Sequence, residues 1–496
     1  MTETREKFYA RCEEIHDLQE IQQLLEWDQQ VIMPRKGAEQ RANQQAALAA
    51  LAHRRLTDPA FGELVRAVET GVAGDEVLAA DLREARRAHD RAVKIPEALV
   101  AERAKACALA QVAWEEAKAQ DDFASFEPHV AKVLDLTRRV AEAVGTENRY
   151  DALLDEYEPG MTEAELKVLF SDLRDRLVRL MDKILGAPRK PSQDVLKRHY
   201  PEAGQEAFGI RVARDMGYDF DAGRLDRSVH PFTSGTFGDV RITTRYDERY
   251  LNTALFGTLH EAGHALYEQG LDPARYRHPA GAYASLGVHE SQSRFWENLL
   301  GRSGPFWRHY LPVLQGHFPG VLDDVTVDAF CAAVNVCQPS FIRVEADEVT
   351  YNLHIILRFE LESALVSGAL GTKDLPAAWN EKMKAFLGIT PPSNQVGVLQ
   401  DIHWSAGLFG YFPTYALGNL YAAQFMEVLR RDLPDLDERL SEGELLPVRS
   451  WLAENVHRQG RTYLPQDLCR RITGRPLSAD ASMAYLGTKF AEVYGF

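Results

Sequence analysis

In this chain of 496 residues, one stretch carries the clearest strand signal, and it is short: DVRITTRY, residues 239–246. Val240, Ile242 and Thr244 alternate there with Arg241, Thr243 and Arg245, the period-two pattern of a half-buried strand. Pro231, Gly235 and Gly238 stand just before it, so a hairpin or small sheet is expected in this region. The rest of the chain constrains the fold from the other side. EQRANQQAALAALAHRRL and VLAADLREARRAHDRAV mix Ala, Leu, Glu, Arg and Gln at helical spacing with few β-branched residues. SFEPHVAKVLDLTRRVAEAVG predicts a further helix stopped by Gly145. Thr162 and Glu165 have the spacing of a capping box. EVTYNLHIILRFELESALVSG (348–368) is apolar on more than one face and predicts a buried helix. GNLYAAQFMEVLRRDLP reads as another. A mainly α fold with one small sheet follows.

Length alone suggests two or three domains or one multi-lobed fold. There is no internal repeat, low-complexity linker or clean seam. Acidic residues outnumber basic ones by 73 to 57, a net charge of −16. That balance argues against nucleic acid or an anionic membrane as partner, since both need a basic field. The five cysteines (Cys12, Cys107, Cys331, Cys337 and Cys469) form no CxxC pair, so neither a thiolate zinc site nor a redox motif is expected. A reduced compartment fits them. The N-terminus is charged and has no apolar core, and no apolar run reaches membrane-spanning length. A cytoplasmic location is the expectation.

The segment most informative about chemistry is TLHEAGHALYEQG, residues 258–270. A helix from about Leu251 to Gln269 would end at Gly270, with Pro273 beyond. His260 and His264 then share one face, a turn apart, and can address one ion. Glu261 is rotated by about 100° and stands beside such an ion as a base. Two histidines and an adjacent glutamate are the pattern of zinc peptidases, where the metal lowers the pKa of a water and a carboxylate takes its proton. A third ligand is needed. Glu268 lies on the same helix face, from which three side chains do not converge tetrahedrally. SLGVHESQSRFWENLLG (285–301) offers Glu290 or Glu297, seven apart on one face, and spacing does not choose between them. His289 is a candidate to support a ligand.

A peptide substrate also has to be held. The strand at 239–246 could offer an edge to an extended peptide. A terminal carboxylate calls for an arginine fork, and Arg241 and Arg343 both lie near the candidate segments. GVLQDIHWSAGLFGYFPTYALGN (397–419) sets Gln400, Asp401, His403, Trp404, Tyr411 and Tyr415 among glycines and a proline, donors suited to an oxyanion.

Taken in order, HPF (230–232), DVRITT (239–244), HEAGH (260–264), HESQSRFWEN (289–298), IRVEAD (342–347) and GVLQDIHW (397–404) resemble the carboxypeptidase Taq family over nearly the whole chain. The resemblance implies a large two-lobed helical shell around a deep groove, with the small sheet beside the HExxH helix. Residues 1–225 would cover the groove and 226–496 would bind metal and substrate, within one fold. It further implies Glu290 as third ligand, Glu261 as general base, and zinc as the usual metal, with cobalt able to substitute. Arg343 becomes the candidate for the terminal carboxylate. Asp239, Arg241, His230 and His403 would line the groove, and Tyr411 or Tyr415 would assist the oxyanion. The implied activity is release of single residues from peptide C-termini with broad specificity, often by homodimers. An endopeptidase or dipeptidase with a similar shell is the alternative. A silent peptide-binding protein is a third reading, which the intact Glu261 argues against.

Overall fold

The computed structural model describes residues 2–70 and 74–496. Helices dominate both of the compact units into which the chain divides. One unit is assembled from Met1–Val93, Ser192–Val334 and Tyr421–Pro476, the other from Lys94–Pro191, Asn335–Leu420 and Leu477–Phe496.

In the first unit, the long helix Thr2–Val31 packs on Ala38–Leu56 and Pro59–Glu69. Phe8, Phe61, Val65, Leu78 and Leu82 fill the core beneath them. The expected strand is present and lies in a three-stranded sheet: β1 (Gly223–Arg227), β2 (Thr233–Ser234) and β3 (Val240–Thr244) in the order β1-β3-β2. β1 runs parallel to β3 with Gly223 opposite Val240, and β2 is antiparallel with Thr233 opposite Ile242. Val240, Ile242 and Thr244 are buried as the alternation predicts, but Thr243 is buried too, because the strand is central. This corrects one expectation. β3 has neighbours on both sides and offers no free edge to a peptide; the outer strand on the antiparallel side is β2.

The helix carrying HEAGH spans Asn252–Gly270 and packs on β3, where the Thr258 and Thr244 hydroxyls meet at 3.2 Å. Gly270 does not end it through a left-handed turn. A Cβ there would lie 2.2 Å from Nδ1 of His457, so the glycine answers a ring packed against the backbone. Gly263 has a similar role with larger consequences. Its absent Cβ would stand 2.6 Å from the carbonyl oxygen of Gln292 and 2.7 Å from Cα of Ser293. The helix Leu286–Arg294, capped by Ser285, therefore comes within backbone contact of the motif helix. It continues through Phe295–Leu300 as a wider π-helical turn.

In the second unit, Glu97–Gln120 and Phe123–Val144 pack together, and Gly145 ends the latter with φ of 82°. Thr162 and Glu165 form the expected capping box on Glu163–Gly186. Thr350–Ser367 is buried on nearly every face, as its apolar pattern predicts.

Candidate active site

The close approach at Gly263 brings Glu290 to the histidine face of the motif helix. Oε2 of Glu290 lies 3.4 Å from Nε2 of His264 and 3.7 Å from Nε2 of His260. The ligand atoms of the three residues all fall within 4.8 Å of one another. Glu297, which spacing left as an equal candidate, reaches the other side of the same ring: its Oε2 is 2.9 Å from Nδ1 of His260. In the neutral ring, Nδ1–H donates to this carboxylate and Nε2 keeps its lone pair facing inwards.

His264 is oriented by a longer chain. Its Nδ1 meets Nδ1 of His289 at 2.5 Å, and Nε2 of His289 meets Oε1 of Glu268 at 2.8 Å. Since Glu268 is a carboxylate, His289 donates to it from Nε2 and accepts at Nδ1. His264 then donates from Nδ1, and its Nε2 also faces inwards with a lone pair. Glu268 is thus two contacts away from the centre, and His289 supports His264.

Three electron-rich atoms consequently face one another, with the cations held outside. Arg294 donates to Oε1 of Glu290 at 2.7 Å and to Oε2 of Glu297 at 3.0 Å, and Arg302 reaches Oε1 of Glu297. Burial alone would push both carboxyls up. Arg294 and the histidines reverse this, holding Glu290 well below the usual range and Glu297 down at about 2. Burial lowers His264 to about 3, so its imidazole is neutral. Burial also acts downwards on His260, but Glu290 and Glu297 raise it on balance.

Glu261 is buried on the neighbouring face. The hydroxyl of Thr233, in β2, donates to its Oε2 at 2.7 Å and to its backbone carbonyl at 3.0 Å. Burial raises this carboxyl, against the opposing pull of His260 and Thr233. Of the other residues expected in this unit, Asp239 and Arg241 pair with each other through two contacts of 2.7 and 2.8 Å. The Arg241 guanidinium also lies over the ring of Trp27 at 4.2 Å. His230 is exposed on the turn before β2.

The second unit gathers another buried group. Arg343 donates from Nε to Oδ1 of Asp401 at 3.0 Å and from Nη1 to the Tyr351 hydroxyl at 3.1 Å. Arg358 holds the other oxygen of Asp401 at 2.7 Å. Burial lowers Arg358 to about 10, whereas Asp401 keeps Arg343 above its ordinary value despite burial. Nε2 of His403 lies 3.2 Å from the Tyr415 hydroxyl. Burial and the nearby Arg343 lower this histidine to about 3. The Tyr411 ring packs against Tyr157 and Tyr415.

A family described as carboxypeptidase Taq (M32) metallopeptidase matches residues 7–490. The chain belongs to this family. It is 48% identical to thermostable carboxypeptidase 1 of Thermus thermophilus over 486 residues, 95% of each chain. It is 40% identical to carboxypeptidase 1 of Bacillus subtilis over 98% of each. The solved M32 carboxypeptidase of Deinococcus radiodurans superposes with a TM-score of 0.97 at 40% identity, over 99% of this chain and 100% of that one.

This M32 chain is therefore a metallocarboxypeptidase, a peptide hydrolase, and the expected mainly α fold with one small sheet is what the structure shows. A metallopeptidase needs a metal, and the donor set fits one: two imidazole nitrogens and one carboxylate oxygen that converge within 4.8 Å of one another. Among the described residues, no helix is long and apolar enough to cross a membrane. Sequence reasoning missed several supporting groups. Arg294 sits four residues after Glu290 and three before Glu297, a spacing that flags it as their shared partner. Thr233, Tyr351 and Arg358 act across the fold, and no local pattern marks them.

Proposed function

We propose that this M32 enzyme uses zinc, held by His260, His264 and Glu290, to remove single residues from free peptide C-termini. The observation that carries this reading is the convergence of Nε2, Nε2 and Oε2 within 4.8 Å of one another, with Glu261 alongside. When bound, the ion supplies Lewis acidity to a water and to the scissile carbonyl. Glu261 takes the proton as the water oxygen bonds to the carbonyl carbon. It then delivers that proton to the amine nitrogen as the C–N bond breaks, so one water and one peptide bond become a carboxylate and a free amino acid. Glu297 and the His289–Glu268 pair hold the two imidazoles in the required tautomers.

Arg343 takes the substrate's terminal carboxylate. Its planar fork suits a carboxylate, and sharing one aspartate with Arg358 leaves the group rich in positive charge. Tyr411 or Tyr415 donates to the oxyanion. His403, His230, Asp239 and Arg241 contribute the walls along the substrate. The family resemblance supports broad specificity, cobalt as a working substitute and a homodimer; five cysteines, none of them in a disulfide, support the cytoplasm.

The test is amino-acid release from one peptide as the free acid and as the C-terminal amide, with and without a chelator. Release from the free acid alone, lost on chelation and restored by zinc, is expected. Internal cleavage of both forms would replace this reading with an endopeptidase.

A further inference from the structure

Within the first unit, the long N-terminal helix and the loop after β2 enclose a cavity of about 340 Å³. Cys12, Ile15, His16, Gln19, Glu20 and Gln23 form one stripe of the helix along its wall. A wider cleft of about 550 Å³ shares Glu20 and the Gly235–Phe237 backbone with it and adds Ile21, Leu24, Trp27 and Tyr276. Both volumes lie in the range of ligand sites.

The cavity reaches the catalytic machinery through Glu268. That residue lies seven positions beyond Glu261 on the same helix, a rise of about 10 Å. An extended peptide covers that distance in about three residues. From Thr233 in β2, beside Glu261, the chain returns to the helix where the Thr236 hydroxyl donates to Glu268 at 2.8 Å. Only one residue lies beyond the bond cleaved by a carboxypeptidase, so a path this long belongs to the upstream part of the chain.

Charge selects what is bound there. Burial first, and then the acidic charges of Glu268, Asp239 and Asp17, push the Glu20 carboxyl up to about 7. Its hydrogen-bond partner is Gln23 at 3.2 Å. The two arginines in the wall are already engaged: Arg277 pairs with Asp17 and Glu13, and Arg461 donates to the carbonyl of Tyr283 and faces Glu84. Burial lowers His16, which favours its neutral form.

We propose that this cavity binds a cationic nitrogen two or three residues upstream of the cleaved bond, with Glu20 as its acceptor. The nitrogen is the amino terminus of a short peptide or the side chain of Lys or Arg. The assignment rests on the carboxypeptidase reading above, and the test separates the two. Peptides sharing one C-terminal dipeptide are compared as Lys and norleucine pairs at the third residue before the bond, all N-acetylated. A tetrapeptide is compared with free and acetylated amino end. In the zinc-loaded enzyme, one or both cationic members should have kcat/KM at least about tenfold higher, the size of one charged hydrogen bond. The Lys pair reports a side-chain subsite and the tetrapeptide pair an amino-terminal one. Glu20→Gln should bring the ratio to within about twofold of one, and Glu20→Lys should favour a Glu-bearing peptide. Because each ratio is taken on one enzyme preparation, partial loss of folded protein cancels. Ratios near one in the wild type, or ratios that survive Glu20→Gln, overturn the inference alone. Failure to release a C-terminal residue from any peptide overturns the carboxypeptidase reading instead.

Discussion

The His260–His264–Glu290 group and the Arg343–Asp401–Arg358 group are both at least partly buried and rich in ionisable side chains, but they are built in opposite senses. In the first, three acceptor atoms face one another and the guanidiniums of Arg294 and Arg302 stay behind the carboxylates. In the second, two guanidiniums converge on one carboxylate. A buried charge must be compensated, so an excess of acceptors favours a cation and an excess of cation favours an anion. On the function proposed above, the first group would hold the metal ion and the second the carboxylate at the end of the substrate.

The sharpest way to break the first half of that comparison is to remove the group placed beside the metal rather than on it. Glu261→Gln should lower kcat by about 10²- to 10⁴-fold, the range of general acid–base catalysis, while bound metal, measured on the purified protein, stays stoichiometric. Loss of metal would make Glu261 a ligand and undo the division of roles. For the second half, Arg343→Ala should raise KM about 10²-fold or more on free-acid peptides and leave kcat closer to wild type, since Arg358 keeps Asp401 compensated. Arg343→Lys should recover only part of the loss, because an ammonium lacks the fork. A substitution that lowered kcat and spared KM would move Arg343 from substrate binding to the transition state.

The two groups also differ in how far they can be read from sequence. The metal group stands on two helices, where spacing of four and seven residues maps directly onto faces. His260, His264 and the pair of glutamates were legible for that reason. The choice between Glu290 and Glu297 was not, because it depends on which nitrogen of one imidazole each carboxylate reaches. That distance is set by the helix crossing at Gly263, and only the family resemblance favoured Glu290. The arginine group draws on a short 3-10 turn, a buried helix and a glycine-rich loop, so residues 343, 351, 358, 401 and 403 have no common period. Their meeting is a tertiary fact. The same contrast holds for the sheet. DVRITT was readable as a strand, but its parallel pairing with β1 and its central place depend on partners the period-two pattern does not name. Nor does composition change where the two units exchange segments.

Glu297 tests whether orientation matters as much as ligation. Glu297→Gln removes the charge that fixes Nδ1 of His260 but leaves all three facing atoms in place. Metal affinity, measured by competition with a chelator, should weaken about 10- to 100-fold, with kcat at saturating metal within a few-fold of wild type. An affinity equal to wild type would mean that packing alone orients His260.

The smallest expected effect isolates the link between the sheet and the base. Thr233→Val keeps the shape of the side chain and removes the one hydroxyl that donates to Oε2 of Glu261. That hydrogen bond favours the ionised carboxylate, against burial, which favours the neutral acid. Without it the Glu261 pKa rises further. The base works only when ionised, so activity is lost as pH falls through that pKa. The acid limb of kcat/KM against pH should therefore move to higher pH, by about one to two units for a single hydrogen bond to a charged group. Activity on the alkaline plateau should fall by less than the limb shifts. A limb that stays in place would mean that Glu261 does not control it, and a limb that moves to lower pH would reverse the sign assigned to the Thr233 contact.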